Sequence, residues 1–173
     1  MSFENPLDPV LTSLKITRAS LNVAGRSKDD QLWEKAKYHI PSKSDFEESR
    51  RQIDDLYVIA MWAIFERRVI EALLATIEVR TEIGQEEFRK AIEDYLPGKV
   101  EFWRFEEILD LFKKRTGIKG EIIGTAKPIK MYRDWLVHRN PKKDPATSET
   151  QQILPDKAYI DLTAILEAIH YAT

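Results

Sequence analysis

The sequence predicts an all-α protein, an up-down bundle of helices around one long central helix. Apolar residues recur at intervals of three and four along most of the chain, as they do on the buried face of a helix. No alternation of apolar and polar residues is long enough for a convincing strand, apart from the short segment 118–123. A chain of 173 residues can bury a sizeable core, so we expect one helical domain over residues 1–173.

The first helices are expected near the N-terminus. Apolar residues recur at helical spacing until Gly25 interrupts the pattern, which predicts a helix over residues 9–24. A shorter helix is expected over residues 29–38. Both should pack on a main bundle formed by residues 44–172.

The long central helix is expected over residues 44–80. Ser44 followed by Glu47 has the spacing of a capping box, in which two side chains satisfy free N–H groups at a helix start. Neither Gly nor Pro interrupts the stretch that follows, so nothing local ends the helix before residue 80.

Four helices are expected after the central one, and Gly or Pro marks most of their ends. A basic last turn followed by Gly117 closes the second of them. Pro141 should end the third near residue 139 or 140, because the residue before a proline avoids the helical region. A polar loop over residues 140–154 then leads to the closing helix. The four helices should begin near residues 86, 105, 125 and 155.

Composition excludes several classes of protein. The chain has no Cys, which removes disulfides, Cys-based zinc sites and a thiol nucleophile and suits a reducing, cytoplasmic setting. The longest apolar run, residues 56–65, is far shorter than the roughly 20 residues that span a bilayer. The N-terminus lacks the basic and then apolar pattern of a signal peptide. A formal net charge of -2 argues against a surface that attracts nucleic acid everywhere and allows only a local patch.

The familiar short motifs of catalysis and metal binding are absent from the sequence. It has no phosphate-binding Gly-rich loop, no His-Glu-x-x-His, no calcium loop and no Gly-x-Ser-x-Gly. His39, His138 and His170 are far apart, and none has a further ligand at a metal-binding spacing. We therefore expect neither a metal nor a cofactor.

One run, Arg-Asp-Trp-Leu-Val-His, which ends at His138, suggests chemistry. At about 100° per residue, Ile129, Tyr132 and Leu136 form a stripe that should face the core. The arc from Arg133 round to His138 covers roughly 140° and points away from that stripe. One helix thus offers a core face and a polar face.

Asp134 stands four residues before His138, so its carboxylate can fix the tautomer of the imidazole or hold its proton. An imidazole beside the guanidinium of Arg133 suits phosphodiester cleavage. The His moves protons at the 2′-hydroxyl or the leaving oxygen, and the Arg stabilises charge on the phosphate. The alternative is an ordinary helix end without chemistry, since cations are favourable there.

Basic residues gather around the same run. We interpret them as candidate RNA contacts, and the alternative is a basic last turn and loop that only complement the helix dipole. The candidates are Lys127, Lys130, Arg139, Asn140, Lys142 and Lys143.

The run from Arg133 to His138 resembles the signature of HEPN domains. That signature is an Arg followed by a polar residue, then by three further residues and a His, and it lies late in a helix of an all-α bundle. The stretch Trp-Ala-Ile-Phe-Glu that ends at Glu66 is similar to the aromatic-rich segment with a Phe-Glu pair that many HEPN domains carry on an earlier long helix. The resemblance covers residues 44–172. It implies a metal-independent endoribonuclease that acts as a homodimer, with the two Arg-His pairs in one cleft and Arg133 and His138 in the catalytic positions.

The same resemblance implies a toxin or an antiviral, abortive-infection effector, with RNA as substrate and a cognate antitoxin protein as a further partner. Many HEPN toxins paired with a nucleotidyltransferase antitoxin have a Tyr two residues after the His. Here Asn140 stands at that position, so nucleotide transfer to such a Tyr is not expected. The alternative within the family is a non-catalytic HEPN-like module that binds RNA or a protein.

Glu66 is an auxiliary candidate for a separate reason. It shares a helical face with Trp62 and Leu73 and should be at least partly buried, so it needs a partner. One interpretation is that Glu66 orients Arg133 or His138 beneath the cleft. The other is a structural ion pair, or a bond to a neighbouring Tyr or Trp.

Overall fold

The computed structural model describes residues 2–26, 41–81, 104–116, 118–138 and 152–172. Every regular element within these ranges is a helix and none is a strand, which confirms the predicted all-α class. The expected helices over residues 29–38 and after residue 86, and most of the loop 140–154, lie outside the described residues. The described helices are α1 (Asp8–Arg26), α2 (Lys43–Thr81), α3 (Phe105–Thr116), α4 (Gly120–Gly124), α5 (Ala126–Val137) and α6 (Pro155–Ala172).

The long helix α2 occupies almost the predicted range, but its N-terminal cap is a different one. Asp45 Oδ2 accepts a hydrogen bond from the Ser42 N–H at 2.7 Å, and Ser42 Oγ accepts one from the Asp45 N–H at 3.3 Å. This is the reciprocal pattern of a capping box, two residues earlier than the predicted pair of Ser44 and Glu47. Both pairs have the same spacing, and the helix begins with the first of them after Pro41.

The segment 118–123, which the sequence left open as a strand, leads instead into the short helix α4, which begins at Gly120. Ile118, just before α4, and Ile123, within it, are each only 8% exposed, so both face the core. The Thr125 N–H and hydroxyl both donate to the carbonyl of Ile122, at 3.2 and 2.7 Å, which closes α4 directly before α5. No strand is described that could pair with this segment, and a lone strand would leave its backbone groups unsatisfied.

The core lies around α2, which packs against α1, α3, α5 and α6. From α5, Ile129 and Tyr132 are 0% and 2% exposed, and Leu136 is partly buried against the same core, as the predicted stripe requires. α5 ends at Val137, slightly before the predicted residue 139 or 140. Among the described helices, none combines the length and the hydrophobicity needed to cross a membrane. Over residues 43–75, where side-chain burial is described, the buried face of α2 consists of Val58, Met61, Trp62, Phe65, Val69 and Leu73.

Hydrogen bonds of the Asn5 side chain connect the N-terminal segment to α6. Its Nδ2 donates to the Tyr159 hydroxyl at 3.0 Å and to Thr163 Oγ1 at 2.8 Å, and its Oδ1 accepts the Leu7 N–H at 3.0 Å. We expect Asn5→Ala to lower the free energy of unfolding by about 1–2 kcal/mol, because partly buried groups lose their partners. Urea unfolding followed by circular dichroism measures this. The control Glu4→Ala, at an exposed neighbour, should change it by less than about 0.5 kcal/mol, and equal effects would contradict the prediction.

Candidate functional site

Arg133 lies at the edge of the core face of α5, where its guanidinium contacts α2. Its Nη2 donates to Glu66 Oε2 at 3.1 Å, and its Nη1 donates to Asp134 Oδ1 at 2.8 Å. The guanidinium carbon lies 5.7 Å from the centre of the Trp62 ring, within the range of a cation–π contact. The side chain is 23% exposed, so the cation is held in one place and still reaches the surface.

Part of the hydrogen-bonding capacity of Arg133 remains available. A guanidinium carries five N–H donors, and two of them are used by the carboxylates of Glu66 and Asp134. The other three make no hydrogen bond within the part of the chain that the structure describes. A guanidinium in this state can still donate to the oxygens of a bound anion.

Glu66 has the partner that its position on α2 requires. Its side chain is 32% exposed, and its carboxylate forms an ion pair with Arg133 across a separation of 67 residues. The partly buried position predicted for Glu66 is therefore correct, and of the partners considered the structure shows Arg133. The contact fits both interpretations of Glu66, orientation of the guanidinium and a stabilising ion pair.

The expected pair between Asp134 and His138 is not formed. Asp134 accepts from Arg133 and from Lys130, whose Nζ lies 2.8 Å from Asp134 Oδ2. Helical side chains lean toward the N-terminus, so the carboxylate of Asp134 extends over the preceding turn, where Lys130 lies. His138 is the C-cap residue, and its backbone, with φ -98° and ψ 17°, leaves the helical conformation there.

His138 is exposed at the end of α5. Its backbone N–H donates to the carbonyl of Asp134 at 2.9 Å and closes the last turn. The imidazole makes no hydrogen bond or ion pair with any of the described residues. It is thus open to solvent, to a substrate or to a second protein surface.

Lys130 belongs to an ion-pair network rather than to an open basic patch. Besides Asp134 it contacts Glu106 of α3, with 3.2 Å between Nζ and Oε1. The hydrogen bond to Asp134, and after it the one to Glu106, raises the pKa of Lys130 above its ordinary value despite partial burial. Burial alone would raise the pKa of Glu106, but bonds from its own N–H and from Lys130 lower it. Lys130 therefore links α3 to α5.

The remaining candidate contacts for RNA divide into two groups. Lys127 is exposed on α5 and forms no ion pair within the described residues. The other four, Arg139, Asn140, Lys142 and Lys143, lie outside the described residues.

Two participants in the site were not predicted as site residues. Trp62 forms the surface beneath Arg133, and its spacing of four residues from Glu66 was a usable signal, since such residues share a helical face. Glu106 carried no signal, because it lies on a separate helix and meets Lys130 only through packing. The described residues contain no group of three or more His, Cys, Asp or Glu arranged to hold a metal ion.

No family model, curated protein or solved structure matches this chain. The fold and the site together define an all-α bundle in which α2 and α5 hold the guanidinium of Arg133, while the exposed imidazole of His138 lies at the end of α5.

Proposed function

We propose that this protein is a metal-independent endoribonuclease of the HEPN type that acts in the cytoplasm as a homodimer, in a toxin or an antiphage role. The observation that supports it best is the fixed guanidinium of Arg133 on α5 together with the exposed imidazole of His138 at the end of that helix, which has no partner among the described residues. A cation for the phosphate and a group that transfers protons are the two parts that cleavage through the 2′-hydroxyl requires.

In the proposed reaction the imidazole of His138 exchanges protons with the substrate. The 2′-oxygen gives up its proton and attacks the adjacent phosphorus, the bond from phosphorus to the 5′-oxygen breaks, and the departing 5′-oxygen takes up a proton. Arg133 donates its free N–H groups to the phosphoryl oxygens, where negative charge increases in the transition state. The products are a 2′,3′-cyclic phosphate and a 5′-hydroxyl.

The proposed site needs a second copy of the chain. Arg133 and His138 are five positions apart, which corresponds to about 140° round the axis of α5. A twofold arrangement would bring Arg133 of one copy beside His138 of the other. Val137 lies within this arc and is 51% exposed, so an apolar side chain is available for the contact between the copies.

A second candidate function, a non-catalytic module that binds RNA or a protein such as an antitoxin, is favoured by the charges of the site. Arg133 and Lys130 face three carboxylates, those of Glu66, Asp134 and Glu106. This excess of negative charge weakens the attraction of the site for a phosphate. The same residues could then form a contact surface without turnover.

Cleavage of RNA in the presence of a chelator separates the two functions. We expect the purified protein to cleave single-stranded RNA in excess EDTA and to leave 2′,3′-cyclic phosphate ends, and Arg133→Ala to abolish this. Binding without cleavage, with an affinity that falls steeply as salt increases, would assign the protein to the binding module instead.

Glu66→Gln tests whether Glu66 positions Arg133. We expect the free energy of unfolding to fall by only about 1 kcal/mol, because the amide keeps the shape and one acceptor of the carboxylate. RNA cleavage should fall more than this stability loss explains, by about tenfold, because a displaced guanidinium costs transition-state stabilisation. Single-turnover rates measure the second effect.

The matched control is Glu71→Gln, on the same helix. Glu71 pairs with Arg67 and Arg68 at 2.9 Å each on the exposed side, away from Arg133. Its replacement should leave cleavage unchanged. If both variants cleave like the unmodified protein, Glu66 is only a structural partner.

A further inference from the structure

A cavity of about 200 Å³ opens beside the Arg133 site, between α2, α3, α4 and α5. Its inner wall is apolar and includes Trp62, Phe105 and Ile123, and charged groups of α3 and α5 surround it. Pockets for drug-sized ligands have volumes of roughly 300–1,000 Å³, so this cavity suits a single flat ring system.

Among the residues that the structure describes, the indole N–H of Trp62 finds no hydrogen-bond partner, although Trp62 is only 1% exposed. Within the described residues it is the one buried side-chain donor or acceptor without a hydrogen bond. Proteins rarely leave such a group unpaired, and a bound ligand or an ordered water is the usual reason. Trp62 lines the cavity, but its indole nitrogen is sealed from it at rest, so an occupant with an acceptor atom reaches the N–H only when the edge of the ring shifts toward the cavity.

Gly124 leaves the cavity open on the α4 side. A Cβ atom at this position would meet no atom within 4 Å, and Gly124 is one of the lining residues. Gly124 is the last residue of α4 and is exposed, so a longer side chain there has room to lie across the mouth of the cavity. This makes the cavity easy to block without disturbing the core.

The rim of the cavity carries groups that can form hydrogen bonds with the edge of a bound ring. Glu106 and Asp110 contribute carboxylates, which only accept hydrogen bonds, and Lys127 contributes a donor with no ion pair in the described chain. Carboxylates select amino groups on a ligand, as they do on the amino group of cytosine. The fitting ligand is flat, with an acceptor for Trp62 and an amino group for the rim.

The cavity and the Arg133 site share two residues. The Trp62 ring lies beneath the guanidinium of Arg133 and also lines the cavity. Lys130 lines the cavity and pairs with Asp134, which in turn holds Arg133. A ring in the cavity would therefore be a close neighbour of a phosphate held by Arg133.

We propose that this cavity binds a nucleobase of the RNA next to the scissile phosphate, with a preference for a base that carries an amino group. The proposal rests on the proposed function for the phosphate, but the binding of the base can be measured without cleavage. The base accepts a hydrogen bond from the Trp62 N–H, and its amino group donates to Glu106 or Asp110.

The test uses the indole N–H resonances of the ¹⁵N-labelled full chain. Trp62→Phe identifies the signal of Trp62 among the 4 Trp residues. The probes are a 2′-O-methylated tetranucleotide, which cannot be cleaved through the 2′-hydroxyl, and the monophosphates CMP, AMP, GMP and UMP. We expect the Trp62 signal to move downfield and saturate with the tetranucleotide, and to respond more to CMP, AMP or GMP than to UMP.

Gly124→Leu fills the cavity and should eliminate the shift of the Trp62 signal, whereas Gly124→Ala, which adds one methyl group to the same helix, should retain it. A Trp62 signal that no probe moves would overturn the base pocket, even if the protein cleaves RNA. A shift with the free monophosphates and none with the tetranucleotide would overturn its assignment to RNA. A saturating shift in a protein that cleaves no RNA would reject the proposed function and keep the pocket.

Discussion

His138→Ala is expected to reduce RNA cleavage by about 10²–10⁴-fold, the usual contribution of a general acid or base. The imidazole is exposed and has no bond to any described residue, so stability should change by less than about 0.5 kcal/mol. The backbone bond from its N–H to the carbonyl of Asp134 does not depend on the side chain. Single-turnover cleavage of an end-labelled RNA, beside urea unfolding of the same samples, separates the two effects.

The matched control is His170→Ala. His170 is also an exposed His near a helix end, but it lies on α6 and contacts the rings of Phe3 and Tyr171, at 5.5 and 5.1 Å between centroids. Its loss should leave the cleavage rate unchanged. A His138→Ala protein that cleaves at the unmodified rate would remove the imidazole from the mechanism.

Phe65→Ala is expected to lower the free energy of unfolding by about 3–5 kcal/mol, the usual range for deletion of a buried Phe. Phe65 is 0% exposed, and its ring centroid lies 5.4 Å from that of Trp62 and 5.5 Å from that of Phe105. The Trp62 and Phe105 rings are themselves 5.1 Å apart, so the change removes one ring of a mutually packed triad. The free energy of unfolding of a whole domain is only about 5–15 kcal/mol, so the loss expected for Phe65→Ala is a large fraction of it.

Urea unfolding measures this loss, and two variants calibrate it. Phe65→Leu keeps most of the apolar volume and should cost less than about 1.5 kcal/mol. Ile160→Ala removes an apolar side chain that is 64% exposed on α6 and should change stability by less than about 0.5 kcal/mol. A Phe65→Ala protein that loses no more than Ile160→Ala would show that the aromatic triad does not stabilise the core.

These predictions assign different roles to two neighbours in the chain. Phe65 faces the core with Trp62 and Phe105, whereas Glu66, one residue later, reaches Arg133 on α5. Adjacent helical positions differ by about 100° in direction, which is why one stabilises the bundle and the other contacts the site. The Phe-Glu pair that contributes to the resemblance therefore joins a structural residue to a candidate positioning residue.

The sequence by itself predicted the all-α class, the extent of α2 and the core-facing residues of α5. These features depend on local rules: apolar spacing sets the buried face of a helix, and Gly, Pro and capping residues set its ends. The cap of α2 was predicted at Ser44 and lies at Ser42, because both serines stand three positions before an acidic residue and only the structure distinguishes them.

Only the tertiary structure decided which groups meet at the site. Asp134 was expected to pair with His138 and instead pairs with Arg133 and Lys130, while Glu106 and the cavity beside Trp62 come from helices distant in sequence. The partly buried position of Glu66 predicted that its carboxylate needs a partner. That the partner is Arg133, 67 residues away, depends on how α2 and α5 pack. Helix formation depends on neighbours along the chain, whereas ion pairs and cavities depend on the neighbours that folding brings together.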